Sequence, residues 1–552
     1  MTKLDTSHTP RPHTPFPALQ SSIDDSSSTF KENYAAMTGL LDHVRSLEGK
    51  IVANSERSRA KFEQRGQILP RERLEHLIDR GSPFLEISSL CGYKVHDDDG
   101  DKSIMGGAVI AGIGVINDVR CAITINDSGI KGGYTTALGN AKAQRMQQIA
   151  LENKIPLVSL IESGGANLLR QSELFVDSGR FFANMARLSA AGVPTITVVH
   201  GSSTAGGAYV PGMSDYVVMV KDRAKVYLAG PPLLLAATGE VASEQELGGA
   251  EMHAQIAGTA EYVAENDSDA IRLARAIVPN ARRPQRRQNR GEVEAPLFPA
   301  DQLLGIVPVD YRRPYDVRDV IARVTDGSRF QEMSSDFGSM TVVGHARIWG
   351  HEVGIIGNNG PIEPEGAAKA AHFIQLCCQS DTPLLFLHNT TGFIVGKRAE
   401  QAGAVKHGAK LIQAVANAHV PRITIHIGAS FGAGNYGMSG RGLDPRFIFA
   451  WPNNRVAVMG GEQAARVLSI VSEESAARTG REPDRAALEK MQQTIIKTYD
   501  EESTALFATA RLWDDGIIDP RDTRDVVGLC LDLVEEERQS ETQVTNFGVA
   551  RF

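Results

Sequence analysis

Two glycine-rich turns are the residues best suited to chemistry, and each of them occurs twice in the chain. The first half holds residues 163–166 (SGGA) and 204–208 (TAGGA), and the second half holds 391–393 (TGF) and 431–435 (FGAGN). Small residues allow consecutive backbone N–H groups to point at one spot and allow a ligand to approach closely. Two such amides aimed at a carbonyl that becomes an enolate form an oxyanion hole. The alternative is that the glycines only permit close packing of helices on strands.

Side chains offer much less chemistry. The sequence has no His-Glu-x-x-His motif and no clear Cys/His couple. Glu162, beside the first turn, is open to two interpretations, an acid or base and a hydrogen-bonded structural carboxylate. His200 and His426 lie in apolar runs and are more typical of core histidines than of catalytic bases. We therefore expect a site that works through backbone donors and needs no metal.

Nucleotide motifs are also absent or misleading. Residues 432–437 match Gly-x-Gly-x-x-Gly, but the acidic residue expected about 20 positions later is missing, and the repeated segment 205–210 lacks the pattern. A phosphate loop of the type Gly-x-x-x-x-Gly-Lys-Ser/Thr does not occur. The sequence therefore predicts that this chain has no ATP site.

The segments that must position these turns form an internal repeat. Pro156 and Pro383 begin matching blocks, Pro194 and Pro421 begin a second pair, and both pairs stand at the same offset of 227 positions. Each block is an apolar run that ends abruptly in small residues, which is typical of a buried parallel strand. The long period indicates two copies of one α/β domain rather than a solenoid.

Composition limits the remaining possibilities. The chain has 552 residues, 53 glycines, five scattered cysteines and a net charge of −8. These values favour two domains in a reducing, cytoplasmic setting and argue against a nucleic-acid or membrane binder. We expect a disordered tail over residues 1–33, a first domain over 34–290 and a second over 291–552, with the Arg-rich segment 281–290 as a solvated linker.

Several long motifs resemble one family. Residues 65–74 (RGQILPRERL), 131–133 (KGG), 162–166 (ESGGA) and 204–209 (TAGGAY) are similar to the β, or carboxyltransferase, subunits of biotin-dependent acyl-CoA carboxylases. Residues 389–396 (NTTGFIVG), 431–438 (FGAGNYGM) and 513–520 (WDDGIIDP) resemble the branch that acts on methylcrotonyl-CoA and geranyl-CoA. The resemblance extends from about residue 34 to residue 540.

This resemblance implies two tandem crotonase-like domains, of the ββα-superhelix type, related by internal duplication. The first would hold the acyl-CoA and the second carboxybiotin. It also implies transfer of CO2 to the γ-carbon of a branched α,β-unsaturated acyl-CoA, as in the breakdown of leucine or isoprenoids. The proton would pass to biotin, so no protein base is needed.

The resemblance further implies partners. The chain has no Ala-Met-Lys-Met-like biotin attachment sequence. We therefore expect biotin and ATP chemistry on a biotinylated α subunit that has biotin carboxylase and carrier domains. The family also implies a homo-oligomer, a hexamer, with active sites at the subunit interface.

The residues matching the family's site fall in three groups. Amides around Gly164, Gly165 and Ala166 would stabilise the thioester enolate, and those of Ala433 and Gly434 would hold the biotin ureido oxygen. The surrounding turn residues would complete the biotin and CoA contacts: Gly206, Gly207, Gly392, Phe393, Gly432 and Tyr436. Lys131, or a basic helix with Arg65, Arg71 and Arg73, is a candidate for the CoA phosphates, although a solvated helix face is an equal alternative.

One departure from the methylcrotonyl-type members concerns the substrate. In place of their charged and aromatic run the chain has residues 175–181 (FVDSGRF), where Ser178 and Gly179 are small. Each buried methylene contributes about 0.8 kcal/mol, so an opened pocket favours a longer chain such as geranyl-CoA. Three alternatives remain open: a propionyl- or acetyl-type β subunit, a crotonase-type hydratase or isomerase, and an inactive scaffold subunit.

Overall fold

The computed structural model describes residues 16–95, 105–165, 171–281, 291–478 and 484–539, which form two β-sheets covered by helices. The first sheet contains β1 (Leu85–Glu86), β2 (Val109–Ile116), β3 (Val119–Asn126), β4 (Leu157–Ser163), β5 (Thr195–Thr204), β6 (Tyr216–Val220), β7 (Lys225–Tyr227) and β8 (Tyr262–Ala264). Its order is β1-β2-β3-β4-β5-β6-β8, with β7 paired to β5. The strands from β3 onwards are parallel.

Ten helices belong to the described part of the first half. They are α1 (Ser28–Glu56), α2 (Arg59–Gln64), α3 (Pro70–Leu77), α4 (Ala137–Asn153), α5 (Gln171–Ala190), α6 (Tyr209–Met213), α7 (Pro231–Thr238), α8 (Glu244–Gly248), α9 (Ala250–Met252) and α10 (Asp267–Ala281). The long α1 buries Met37 and Leu41 in a core shared with the second half. The N-terminal helix therefore covers a core built by later residues.

The second half repeats this architecture. Its strands are β9 (Phe330–Glu332), β10 (Thr341–Ile348), β11 (His351–Asn358), β12 (Leu384–Thr390), β13 (Arg422–Phe431), β14 (Phe447–Ala450) and β15 (Arg455–Ala457). They are ordered β14-β13-β12-β11-β10-β9, with β15 paired to β13. The helices of its described residues are α11 (Leu303–Ile306), α12 (Val317–Val324), α13 (Pro364–Gln379), α14 (Lys397–Gln401), α15 (Ala404–Asn417), α16 (Gly432–Gly437), α17 (Gly461–Arg478), α18 (Arg485–Glu502), α19 (Ala505–Ala510) and α20 (Thr523–Gln539).

The predicted duplication is confirmed in the strand register. β4 and β5 correspond to β12 and β13 at the offset of 227, and so do the first residues of α4 and α13. Leu157 pairs with Thr195 as Leu384 pairs with Arg422, and both pairs of strands shift register just before their last bridge. The central strands are apolar on both faces because helices cover both sides of the sheet.

Buried ion pairs help to join the two halves. Arg145 of α4 makes two 2.8 Å contacts with the Asp515 carboxylate and donates to the carbonyl of Arg446. Burial alone would raise the pKa of Asp515, but Arg145 and Arg441 hold it at about 2. The carboxylate is therefore ionised inside the shared core.

Part of the predicted disordered tail is ordered. Leu19 donates to the carbonyl of Ser328, Ser21 bonds the Asp319 carboxylate at 2.6 Å, and α1 already begins at Ser28. The sequence-based boundary at residue 33 was wrong because it rested on polar composition, whereas these residues bond to the second half. Residues 1–15 and most of the Arg-rich linker lie outside the described residues. No helix in the described ranges has the length and apolar character that crossing a membrane requires.

Arg145→Met should lower the free energy of unfolding by about 3–5 kcal/mol, because the buried Asp515 charge loses its main partner. The measurement is urea unfolding near neutral pH. Arg272→Met is the control, since Arg272 pairs with Asp269 at the surface and such pairs contribute at most about 1 kcal/mol. Equal effects of the two substitutions would contradict this account of how the halves are joined.

Candidate active site

A cavity of about 210 Å³ lies in the first half, where the carboxyl ends of β4 and β5 meet α4 and α5. Its walls are mainly apolar, and both glycine turns contribute to them. Lining residues from the turns and from α5 are Gly165, Ser178, Phe181, Phe182, Thr204, Ala205, Gly206 and Gly207. A largely apolar cavity with a few backbone donors is the usual form of a small-molecule site.

The two turns touch each other in both halves. A Cβ atom built on Gly165 would lie 3.4 Å from Oγ1 of Thr204, and one built on Gly434 would lie 2.8 Å from Cα of Gly392. Gly165 and Gly392 have φ angles of +95° and +117°, which favour glycine. The glycines are needed where the two turns approach each other, so close packing of the turns is one reason for them.

Ala205 and Gly432 are equivalent in the repeat and share an unusual backbone conformation. Their φ angles are +53° and +54°. An alanine in this region is strained, and such strain is concentrated at functional sites. The strained residue is part of the cavity wall.

Free backbone donors come mainly from the second turn of each half. Residues 205–208 and α16 both begin helical turns, and their N-cap residues, Thr204 and Phe431, form no side-chain cap. The first N–H groups of a helix lack intrahelical partners. The amides of Gly206 and Gly207 are therefore placed like those of Ala433 and Gly434.

The first turn is more constrained than the sequence suggests. The N–H of Gly164 donates to the carbonyl of Gly132 at 3.2 Å, and Gly164 is not part of the cavity wall. The N–H of Gly165 donates to Oγ of Ser163 at 3.2 Å, a hydroxyl that can rotate away. Ala166 lies outside the described residues.

Glu162 is held in a buried polar cluster behind the first turn. Its carboxylate is bonded to Arg73 at 2.8 Å, to Gln67 at 2.9 Å and to Ser128 at 2.9 Å. Burial would raise the pKa of Glu162, but Arg73 and these hydrogen bonds keep it below its usual value. Glu162 is therefore a structural carboxylate. Its counterpart in the second half, Asn389, accepts a hydrogen bond from the N–H of Ala429.

Asp267 completes this cluster. Arg73 also contacts Asp267, at 3.2 Å, and Nδ1 of His200 donates to the same carboxylate at 3.0 Å. Burial would raise the pKa of Asp267, whereas His200 and Arg73 hold it at about 2. His200 is fully buried, so it is a core histidine rather than an exposed base.

His426 has a second histidine as its neighbour. His388 and His426 are paired across β12 and β13, with ring centroids 4.8 Å apart. Burial lowers the pKa of His426 to about 4, and burial together with His426 lowers that of His388. Both rings are therefore neutral at physiological pH.

The residues predicted to contact the substrate lie in different environments in the structure. Ser178 lines the cavity, whereas Gly179 is exposed and faces open space. Lys131 is exposed on the loop that holds Gly164, with a φ angle of +46°, and is not part of the cavity wall. Ser178 and Gly179 differ in this way because neighbouring helix residues point in directions about 100° apart, and the substrate roles of Gly179 and Lys131 stay predictions.

The basic helix is not free for phosphates. Arg71 forms two 3.0 Å bonds with Glu86, and Arg73 is 1% exposed. Two of the three arginines that the sequence placed near CoA phosphates are therefore structural. Their acidic partners are distant in sequence, so spacing alone could not reveal them.

Phe393 distinguishes the second half from the first. A Cβ on Gly408 would lie 3.1 Å from the Phe393 ring, and one on Gly437 would lie 3.2 Å from it, so the ring fits only because both residues are glycine. The repeat aligns these positions with Phe181 and Val210, which line the first-half cavity. It aligns Phe393 itself with Ala166. In the second half the Phe393 ring thus lies against the two positions that carry Phe181 and Val210 in the first half.

The sequence analysis missed the aromatic wall of the cavity. Phe182 packs edge-on against Phe181 and Tyr209, with centroid distances of 6.0 Å and 5.6 Å. The signal available was Phe181-Phe182 one helical turn after Ser178. Tyr436, the counterpart of Tyr209, is 50% exposed on α16.

Comparisons with known proteins agree with this geometry. A profile for the carboxyl transferase domain matches residues 61–549. A probable biotin-dependent acyl-coenzyme A carboxylase β2 subunit from Mycobacterium tuberculosis is 48% identical over 97% of this chain and 100% of its own length. A methylcrotonoyl-CoA carboxylase β chain from Dictyostelium discoideum is 46% identical over 94% of this chain and 88% of its own.

A solved structure is similar over nearly the whole chain. The β subunit of geranyl-CoA carboxylase from P. aeruginosa is 55% identical, with a TM-score of 0.90, and the match covers 97% of this chain and 100% of that one. The duplicated crotonase-like fold expected from the sequence is confirmed by this match.

Acid should destabilise the protein through His388 and His426. Unfolded histidines bind a proton near pH 6.5, whereas the buried rings stay neutral to lower pH, so the free energy of unfolding falls as pH drops from about 6.5 towards about 4. The double variant His388→Ile with His426→Val, which introduces the residues of the first half, should reduce the pH dependence of the free energy of unfolding. The reduction corresponds to at most about two fewer protons taken up on unfolding. Urea unfolding over that pH range measures the slope.

Exposed His43→Ala is the control and should leave the slope unchanged. A double variant with the parental slope would show that the pair does not titrate as described.

Proposed function

Because this chain belongs to the carboxyl transferase family, among the β subunits of biotin-dependent acyl-CoA carboxylases, we propose that it carboxylates the γ-carbon of a branched α,β-unsaturated acyl-CoA. The observation that carries the proposal is the apolar first-half cavity with backbone amides in its wall. Such a cavity suits a hydrocarbon chain, and the amides suit its thioester carbonyl.

The first half would activate the acyl group. Removing a γ-proton from the unsaturated thioester moves negative charge onto the carbonyl oxygen. Gly206 and Gly207 at the start of their helical turn, with Gly165 facing them, would hold that oxygen. Fixed donors in a site that excludes water stabilise a developing oxyanion strongly, at about 2.7–4 kcal/mol for one donor. We therefore assign the acyl-side donors to Gly165, Gly206 and Gly207, while Gly164 keeps the turn in place.

The second half would hold carboxybiotin. When bound, carboxybiotin supplies the activated carboxyl group and a ring nitrogen that accepts a proton. The amides of Ala433 and Gly434 begin α16 without a side-chain cap, so they fit a ureido oxygen. Gly392 contacts Gly434 from the other turn and fixes its position. Gly432 and Phe393 would have indirect roles. Gly432 permits the positive φ angle at the start of α16, and the Phe393 ring packs against Gly408 and Gly437.

The polar cluster explains why Glu162 does not act as the base. Both carboxylate oxygens are occupied, and Arg73 keeps the group ionised and fixed. Crotonase-type hydratases and isomerases would be expected to offer paired carboxylates at the turns, but Asn389 stands at the equivalent position of the second half. The arrangement supports a carboxyltransferase over those enzymes.

The cavity also supports a long acyl chain. Ser178 keeps one wall small, while Phe181 and Phe182 add apolar surface. The first-half cavity that these residues line is where we place the acyl chain. We propose a substrate of geranyl length.

Exposed apolar residues occur in both halves and support an oligomer. They include Phe175, Val176, Leu228, Val241 and Ile256 in the first half and Val395, Val405, Val458, Val467 and Val471 in the second. Exposed apolar surface of this kind marks protein contacts. We propose that the first half of one copy faces the second half of another, and that a biotinylated α subunit delivers carboxybiotin between them. The hexamer implied by the family resemblance and the cytoplasmic location stay predictions.

With the biotinylated partner present, kcat/KM for geranyl-CoA should exceed that for 3-methylcrotonyl-CoA by about tenfold or more, because each additional buried methylene contributes about 0.8 kcal/mol. Ser178→Phe should reverse this preference by filling the cavity. A carboxylation assay with both thioesters measures the ratio.

Gly179→Ala is the matched control, because its Cβ would meet open space and should leave the ratio unchanged. A preference of the unaltered enzyme for methylcrotonyl-CoA would reject the long substrate. Carboxylation that persists without any biotinylated partner would reject the proposed function.

Gly434→Ala should reduce kcat by about a hundredfold, because its Cβ would lie 2.8 Å from the backbone of Gly392 and push the two turns apart. The KM for acyl-CoA should change little, since that substrate binds the first half. Steady-state kinetics of the reconstituted pair separates the two parameters.

Gly442→Ala provides the comparison, since no atom lies within 4 Å of its added Cβ. A folded Gly434→Ala variant with normal kcat would show that the second turn does not act in catalysis.

A further inference from the structure

A row of four polar side chains crosses the second sheet on adjacent strands. Thr341 of β10 pairs with Asn358 of β11, and His388 of β12 pairs with His426 of β13. The pairing of Gly357 with Leu387 places Asn358 beside His388. All four are buried, with exposures of 1%, 0%, 0% and 2%.

Most polar atoms of this row lack a protein partner among the described residues. They are Oγ1 of Thr341, Oδ1 and Nδ2 of Asn358, Nδ1 and Nε2 of His388, and Nε2 of His426. Nδ1 of His426 has one long contact, 3.4 Å, with the amide of Asn454. Buried polar groups in native proteins are almost always hydrogen-bonded to protein or to ordered water, so six such atoms in one row point to a ligand.

The repeat shows where the row lies. β2 and β3 correspond to β10 and β11 at an offset of 232, whereas β4 and β5 correspond to β12 and β13 at 227. The counterparts of the row in the first sheet are therefore Val109, Asn126, Ile161 and Val199, and the first three of these line the apolar cavity. The second half therefore carries His388 and His426 where the first half carries Ile161 and Val199, while Asn358 and Asn126 are both asparagine. In the second half the Phe393 ring lies against the positions of Gly408 and Gly437.

The chemistry of the row defines what it can bind. Asn358 offers two donors and two acceptors, each neutral histidine offers one of each, and Thr341 offers a hydroxyl. No member carries a fixed charge, so the row suits a small neutral molecule with both donors and acceptors. Water meets this description, and a buried water typically makes about three hydrogen bonds.

We propose that ordered water molecules bridge Thr341, Asn358, His388 and His426 in the interior of the second half. This inference concerns the protein without substrate and does not depend on the proposed reaction.

A crystal structure at a resolution that shows ordered water tests the site directly. We expect water within hydrogen-bond distance of both His388 nitrogens and of Asn358. A dry row, side chains that pair with other protein groups, or density for a different molecule would overturn the proposal.

The stability of His388→Ile gives an independent test through its sign. If water links the row, replacing His388 leaves polar atoms of the other three residues without hydrogen bonds, and the melting temperature should fall by about 2–4 °C. If the row is dry, an isoleucine removes two unsatisfied atoms and the melting temperature should rise, which would overturn the proposal. His345→Ile is the control, because that half-buried ring stacks on Phe373 outside the row and its loss should have a smaller effect.

Discussion

The contact between two glycine turns at the carboxyl ends of neighbouring parallel strands is the constraint on which the rest of the structure depends. β4 and β5 shift register just before Ser163 pairs with Ser203, and β12 and β13 do the same before Thr390 pairs with Ser430. This shift brings Gly165 against Thr204 and Gly434 against Gly392. Glycine is required at that contact because the two turns lie close together. The helical turn that begins beside it leaves its first backbone N–H groups without intrahelical partners. Buried ion pairs lie behind the first turn, in the Arg73 cluster, and between the two halves, in the Arg145–Asp515 pair.

The duplicated strand arrangement can serve two functions because its two copies carry different side chains in their interiors. The first half leaves an apolar cavity beside its turns, with Phe181 and Phe182 as walls. The second half places Phe393 in the equivalent region and carries histidines where the first half carries Ile161 and Val199. A strand register that is conserved between the halves therefore supports a hydrocarbon pocket in one half and a polar interior in the other.

Local patterns were enough to predict the strands, the duplication and the turns. The runs before Gly164 and Gly392 are short, apolar and repeated at one offset, so their pairing followed from the sequence. The partners of charged residues could not be predicted in this way, because Arg73 finds Glu162 and Asp267 across many intervening residues. The hydrogen bond of the Gly164 amide and the exposure of Gly179 could not be predicted from the sequence for a related reason. Which amide is already bonded and which side of a helix faces a cavity depend on backbone geometry that residue types do not specify.

A structure of the protein with geranyl-CoA bound tests the central claim most directly. The account predicts the hydrocarbon chain in the first-half cavity beside Ser178, with the thioester oxygen within hydrogen-bond distance of the amides of Gly165 and of Gly206 or Gly207. An acyl chain bound in the second half, or a thioester oxygen held by side chains away from both turns, would contradict it.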